Sequence, residues 1–195
     1  MDLRLLITDV ETTGFDSKSE NTVEIGAVLY SVTSKTALQQ WVSLFYSPTN
    51  AAAHINNISK AMLDEMKVVE TTYDTFWRMA FSAHAIVAHN ADFDKAFIKK
   101  FVSGISVDGR PFPDLPWLCT YKSGIRWTGM VRQSPNNKLP SLAAAHDIVL
   151  GGEHRALFDC NLIAQMFMKT PDLEEQIRRI LKIEDPEYDL SQIPF

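Results

Sequence analysis

The stretch LRLLITDVETTG (residues 3–14) decides how the rest of the chain is read. Its first half is largely apolar, and residues 3–11 read as a strand buried on both faces and hence central in a sheet. Asp9 and Glu11 then stand two apart. A strand places residues i and i+2 on one face, so both carboxylates point the same way. Two like charges on a buried strand repel each other and lose solvation. A divalent cation between them removes the difficulty, because hard cations such as Mg²⁺ and Mn²⁺ take oxygen ligands. The commoner fate of an isolated D-x-E pair is an exposed strand end with two solvated acids. The pair therefore needs support from elsewhere in the chain.

Outward from this strand, VEIGAVLYSV (23–32) and ALQQWVSLFY (37–46) read as two more strands, antiparallel neighbours of the first. Residues 47–57 read as a loop, and ISKAMLDEM and TYDTFWRMAFSAH as helices. AIVAH (85–89) reads as a short buried strand followed by a helix over NADFDKAFIKKFVS. Residues 103–116 form a Gly/Pro-rich loop, and WLCTY a last strand. SLAAAHDIVL and HRALFDCNLIAQMFMK read as helices separated by Gly151-Gly152. Strands first and then alternation give an α/β pattern with a mixed sheet.

The 195 residues suffice for one domain with a sizeable core, and 46% hydrophobic with 22% charged residues is ordinary for a soluble protein. No apolar run reaches the roughly 20 residues of a membrane span. The first residues lack the pattern of a signal peptide. Cys119 and Cys160 make neither a disulfide framework nor a zinc spacing. A cytoplasmic location is expected. The net charge of −5 argues mildly against nucleic-acid binding, but the charge is unevenly spread. Residues 171–195 hold seven acids against three bases, a net −4, and read as an acidic C-terminal extension to a domain over 1–170. No acid lies between Leu115 and His146, whereas Lys122, Arg126, Arg132 and Lys138 all do.

Two further clusters support the first pair. In AHNADFDKAF, Asp92 and Asp94 are about 200° apart on a helix, so only one can face a given site. Phe97 and Ile98 follow Asp94 at i+3 and i+4, which puts Asp94 on the buried stripe, while Asp92 reads as a solvated surface acid. Asn90 can cap that helix. In GGEHRALFDCNLIAQMF, His154 and Asp159 are about 140° apart if both are helical. They reach one site only if His154 stands on the preceding loop. Asp159 lies among Leu157, Leu162 and Ile163 and points inward. His54, His84, His89 and His146 are expected to be structural.

DVETTG, HNADFD and HRALFD, in this order and spacing, resemble the three motifs of the DnaQ-like, or DEDDh, 3′→5′ exonuclease family, over about residues 3–169. The resemblance implies a ribonuclease H-like fold, a mixed five-stranded sheet flanked by helices. It implies two Mg²⁺ or Mn²⁺ ions held by Asp9, Glu11, Asp94 and Asp159, with Asp9 shared, and His154 as general base. The sister group with a tyrosine base carries Tyr four residues before the last Asp. Arg155 stands there, so the histidine version is indicated. Many relatives carry a His-Gly-Ile-like turn where this chain has Asn56-Asn57-Ile58. The histidine is missing, and Ile58 either packs near the terminal sugar or belongs to the core.

The stretch from Trp117 to Lys138 joins four bases to Trp117, Tyr121 and Trp127, a composition suited to single-stranded nucleic acid. A solvated loop with partly buried tryptophans is the plainer alternative. Candidate substrate contacts are thus Thr12, Thr13, Ile58, Asn90, Arg126 and Trp127. The expected activity is hydrolysis of nucleic-acid 3′ ends to 5′-mononucleotides, on DNA before RNA and on single strands. The alternatives are an RNA-trimming enzyme and an accessory subunit of a polymerase. The expected partner is nucleic acid with a free 3′ end, with a possible protein partner for the C-terminal tail.

Overall fold

A computed structural model describes residues 2–68, 73–122, 125–127, 138–151 and 154–183. Five strands form one sheet: β1 (Arg4–Thr12), β2 (Thr22–Ser31), β3 (Thr36–Leu44), β4 (Ala85–Ala88) and β7 (Trp117–Cys119), in the order β3-β2-β1-β4-β7. The first three are antiparallel, while β4 runs parallel to both β1 and β7, giving the expected mixed sheet. β1 is the central strand because Leu5, Leu6 and Ile7 are all fully buried, which requires cover on both faces.

The period of two sorts β1 between two cores. Leu5 and Ile7 pack with Val28, Tyr30 and Val87 beneath α5 (Leu139–Ala145), α6 (Ala156–Lys169) and α7 (Leu173–Leu181). Leu6 and Val10 pack with Ile25, Leu29 and Ile86 against α3 (Asp74–Phe81) and α4 (Ala91–Val102). Asp9 and Glu11 continue the Leu5–Ile7 face and so lie on the α6 side. Two short helices, α1 (Ala53–Asn56) and α2 (Lys60–Glu65), cover one end of the sheet. Ser59 caps α2 by accepting from the Met62 N–H at 3.2 Å.

The structure departs from the sequence expectations in four places. The 47–57 loop contains α1. The 103–116 loop carries a hairpin of β5 (Ser106–Val107) and β6 (Arg110–Pro111). Asp108 and Gly109 turn it at φ values of 50° and 71°, the left-handed pair that a two-residue hairpin needs. The helix expected over 141–150 ends at Ala145 because Asp147 adopts a φ of 54°. Finally, the acidic segment contributes α7, whose Leu173 and Ile177 are buried in the main core. The end of the tail, 184–195, and Arg132 lie outside the described residues. Among those described, no helix is long and apolar enough to cross a membrane.

Candidate active site

The β1–β4 pairing runs only from Leu5 to Ile7, so the strands part beyond it at their C-terminal ends. A crevice outside the carboxyl ends of parallel strands is where α/β sheets bind ligands. Here it collects the acids of all three motifs. Asp9 and Glu11 enter from β1. Asp94 enters from the first turn of α4 and is buried, its Oδ1 accepting the Val10 N–H at 3.2 Å. That N–H lies past the end of the β1–β4 ladder, so the carboxylate takes the place of a strand partner.

Asp159 arrives from the first turn of α6, which can approach β1 and β2 because of Gly26. A Cβ there would lie 2.4 Å from the Ala156 carbonyl carbon and the Leu157 nitrogen. Those atoms are backbone, so only glycine permits the contact. The ligand oxygens of Asp9, Glu11 and Asp159 consequently lie within 4.8 Å of one another. Asp94 is outside that trio but lines the same cavity, of about 380 Å³, together with His154. His154 precedes α6, exposed, with a left-handed φ of 62°. The loop-then-helix placement that the 140° separation demanded is the one observed.

Burial pushes the carboxyl of Asp9 well up from its ordinary range, reinforced by the charges of Asp94 and Asp159. Burial likewise raises Glu11 to about 8, with Asp159 and Glu24 adding to it and Arg155 opposing. Asp94 rises to about 8, again from burial, despite two backbone hydrogen bonds that favour its charge. An all-oxygen acidic donor set that is this unfavourable without a counter-charge fits a hard divalent cation. A carboxyl whose folded pKa is raised stabilises the fold below its unfolded pKa, and that contribution is lost as pH rises through the folded value. The metal-free protein should therefore melt at lower temperature near pH 8.5 than near pH 5.5. Mg²⁺ or Mn²⁺ should raise Tm more at the higher pH. A metal-induced shift that is absent, or larger at the lower pH, would exclude a cation from this cluster.

The remaining candidates divide. Thr12 lines the 380 Å³ cavity, its hydroxyl donating to the Gly14 carbonyl at 2.7 Å. Asn90 lines an adjoining cavity of about 670 Å³. It sits at the start of α4 with a φ of 71° and makes no capping side-chain bond, so the cap role is not realised. Thr13 is buried, donating to the Glu20 carboxylate and accepting from the Asn21 N–H at 2.9 Å. It braces the turn rather than facing the cavity. Ile58 is fully buried with Val23 and Leu63 and belongs to the core. Trp127 is half-buried, its ring stacked on Phe167 at 6.0 Å and edge-on to His146 at 5.6 Å, so the core reading holds for it too. Arg126 is exposed and lines neither cavity; its N–H donates to Gln176 Oε1 at 2.7 Å, which seats this segment on α7.

Several wall residues were not among the candidate contacts. His89, expected to be structural, lines both cavities, its Nδ1 2.9 Å from the Thr120 hydroxyl. Phe15, 85% exposed, and Ile55 border the smaller cavity, while Tyr121 and Lys138 border the larger. Phe15 directly follows the first motif, which was its one hint, whereas Tyr121 and Lys138 belong to the basic, aromatic stretch already read as suited to single strands. Asp92 is exposed and pairs with Lys122 at 2.8 Å, away from both cavities.

A cluster of acids suited to divalent cations, with a histidine on its rim and a mixed five-stranded sheet behind it, is the arrangement of a metal-dependent phosphodiester-hydrolase site. Comparison with known proteins gives the same class. The RNase T exonuclease family model matches residues 6–167, and the chain belongs to that family. It is 26% identical over 178 residues to the PolC-type DNA polymerase III of Caldanaerobacter subterraneus, covering 88% of this chain and 12% of that polymerase. It is 26% identical over 173 residues to the DNA polymerase III subunit epsilon of Aquifex aeolicus, covering 87% of this chain and 81% of the subunit. Among solved structures, Exonuclease X in complex with 5′ overhanging duplex DNA superposes with a TM-score of 0.60 at 23% identity. That match covers 91% of this chain and 99% of the other.

Proposed function

We propose that the chain removes nucleotides from the 3′ ends of DNA, single strands preferred, and releases 5′-mononucleotides with two Mg²⁺ or Mn²⁺ ions. The observation that carries this reading is the convergence of Asp9, Glu11, Asp94, Asp159 and His154 on one cavity. DNA is favoured by the relatives, which are DNA polymerase components. The smaller cavity accommodates the terminal nucleotide, with Phe15 and Ile55 offering apolar contact to its base. The larger receives the strand upstream, with the Tyr121 ring for stacking and Lys138 for a phosphate. These two take over the part that the sequence assigned to Trp127 and Arg126.

When bound, divalent ions offset the carboxylate charge and activate water toward the phosphodiester. Four carboxylates match the charge of two such ions, which is why the cluster is tolerable when loaded. His154, on a loop open to solvent, takes a proton at a ring nitrogen from the attacking water. The new P–O bond forms as the bond from phosphorus to the upstream 3′-oxygen breaks. That oxygen is then protonated from solvent, leaving a new 3′-hydroxyl.

His154→Ala should keep the metal-induced rise in Tm yet lose about 10²–10⁴-fold in kcat. Near-normal turnover in that variant would remove His154 from the base role. The reading as a whole is tested with 5′-labelled single-stranded DNA, duplex DNA and RNA, incubated with Mg²⁺ and with excess EDTA. A ladder shortening from the 3′ end, fastest on single-stranded DNA and abolished by EDTA, is expected. Internal cuts, or shortening unaffected by EDTA, would overturn it, and preferential trimming of RNA would replace the substrate.

A further inference from the structure

On β2, the two residues in register with the site acids are Gly26, opposite Asp9, and Glu24, opposite Glu11. Both touch the start of α6. Gly26 lets the helix backbone close in. Glu24 is 1% exposed, a carboxylate buried directly across the ladder from another carboxylate. Such a placement is costly unless the charge is matched and its lone pairs are filled. Here both conditions are met by the residues that follow His154. Arg155 donates to Glu24 from Nη2 at 2.6 Å and from Nε at 3.1 and 3.2 Å, and the Ala156 N–H donates to Glu24 Oε2 at 2.8 Å.

α6 has no capping bond from its own N-cap side chain, since Arg155 occupies that position. The helix takes its acceptor from β2 instead. Immediately upstream, the backbone swings from φ 62° at His154 to φ −131° at Arg155. A non-glycine residue holds a left-handed conformation only when its surroundings fix it. Among the described residues, the Arg155–Glu24 contact is the side-chain anchor next to that reversal.

We infer that Glu24 and Arg155 are positioning residues: their buried ion pair latches the entry of α6 to β2 and thereby aims His154 and Asp159 at the acids of β1. The inference rests on the exonuclease reading for its effect on rate, but the latch itself does not. Its effect should be felt in turnover rather than in substrate binding, because neither residue lines either of the two cavities of the site.

The test compares Arg155→Ala, Arg155→Lys and Glu24→Gln with the wild-type chain. In metal-free protein, hydrogen exchange of the amides of 155–160 should quicken at least tenfold in Arg155→Ala and Glu24→Gln, with the strand amides of β1 unchanged. On the 4-nitrophenyl ester of thymidine 5′-monophosphate, Arg155→Ala should lose on the order of 10-fold or more in kcat with KM nearly constant. Arg155→Lys should recover only part of it, since an ammonium cannot reproduce the two-nitrogen grip. In a His154→Ala background, Arg155→Ala should cost less than it does in the wild-type chain, because one of the two residues it positions is gone. Unchanged exchange at 155–160 would overturn the latch whether or not the chain hydrolyses anything. Faster exchange with no change in kcat, or fully additive losses with His154→Ala, would overturn the positioning role. Failure of the wild-type chain to hydrolyse the ester would sink the exonuclease reading and, with it, any role of the pair in turnover. Should Arg155→Ala not fold, Glu24→Gln carries the same readings, because it keeps the shape of the acid and removes its charge.

Discussion

Asp9→Asn should make the metal-free protein more stable and the enzyme inactive. The carboxyl of Asp9 is half-buried beside three other acids, and desolvation together with Asp94 and Asp159 raises its pKa. An amide of the same shape removes the unfavourable charge without opening a cavity. In EDTA the Tm of the variant should therefore exceed that of wild type, by a margin that widens as pH rises. The same substitution removes one carboxylate of the trio that would hold a divalent ion. Turnover should fall on the order of 10³-fold or more, and the Mg²⁺-induced rise in Tm should shrink or vanish. Asp94→Ala should be as inactive, whereas Asp92→Ala should stay within a few-fold of wild type, because Asp92 is exposed and its partner is Lys122. An active Asp94→Ala beside an inactive Asp92→Ala would reverse the helix-face assignment. A variant Asp9→Asn that bound Mg²⁺ and turned over normally would remove this cluster from the chemistry. Stability gained by disarming a site is the expected exchange where function requires clustered like charges.

Gly26→Ala should be the most damaging single methyl group in the sheet. The added carbon would sit 2.4 Å from two backbone atoms of α6, and backbone of a packed helix cannot move aside as a flexible side chain can. Overpacking of this kind costs about 3 kcal/mol, or about 6–12 °C in Tm for a domain of this size. If the protein relieves the clash by lifting the first turn of α6, Asp159 leaves the trio. Activity would then fall further than stability implies, and the metal-induced Tm shift would shrink. Circular dichroism melts with and without Mg²⁺ separate the two effects. A variant with wild-type Tm and turnover would show that α6 does not need this close approach.

The acids and the histidine were legible in the sequence because their signals are local. A period of two put Asp9 and Glu11 on one face, and a period of 3.6 separated Asp94 from Asp92. The helix angle required His154 to stand off the helix that carries Asp159 if the two were to share a site, and the resemblance of the three motifs implied that they do. The order of strands and helices followed from the same periodicities, down to the mixed sheet. The ends of elements were less legible, as with α5, where a left-handed Asp147 stops a helix that apolar spacing would have continued.

What only the tertiary structure decided is which side of each segment is covered. Trp127, Ile58 and Thr13 have the chemistry of contact residues, yet Phe167, Leu63 and Glu20 claim them for the interior. His89, Phe15 and Ile55 carried no contact signal of their own, yet stand on cavity walls. A side chain's own type sets what it can bind, but its exposure depends on neighbours brought from elsewhere in the chain. The Glu24–Arg155 pair joins positions 131 apart, and no local pattern foretells it. It exists because a glycine two residues along β2 admits the backbone of α6, a steric condition that appears only once the helix and the sheet are packed together.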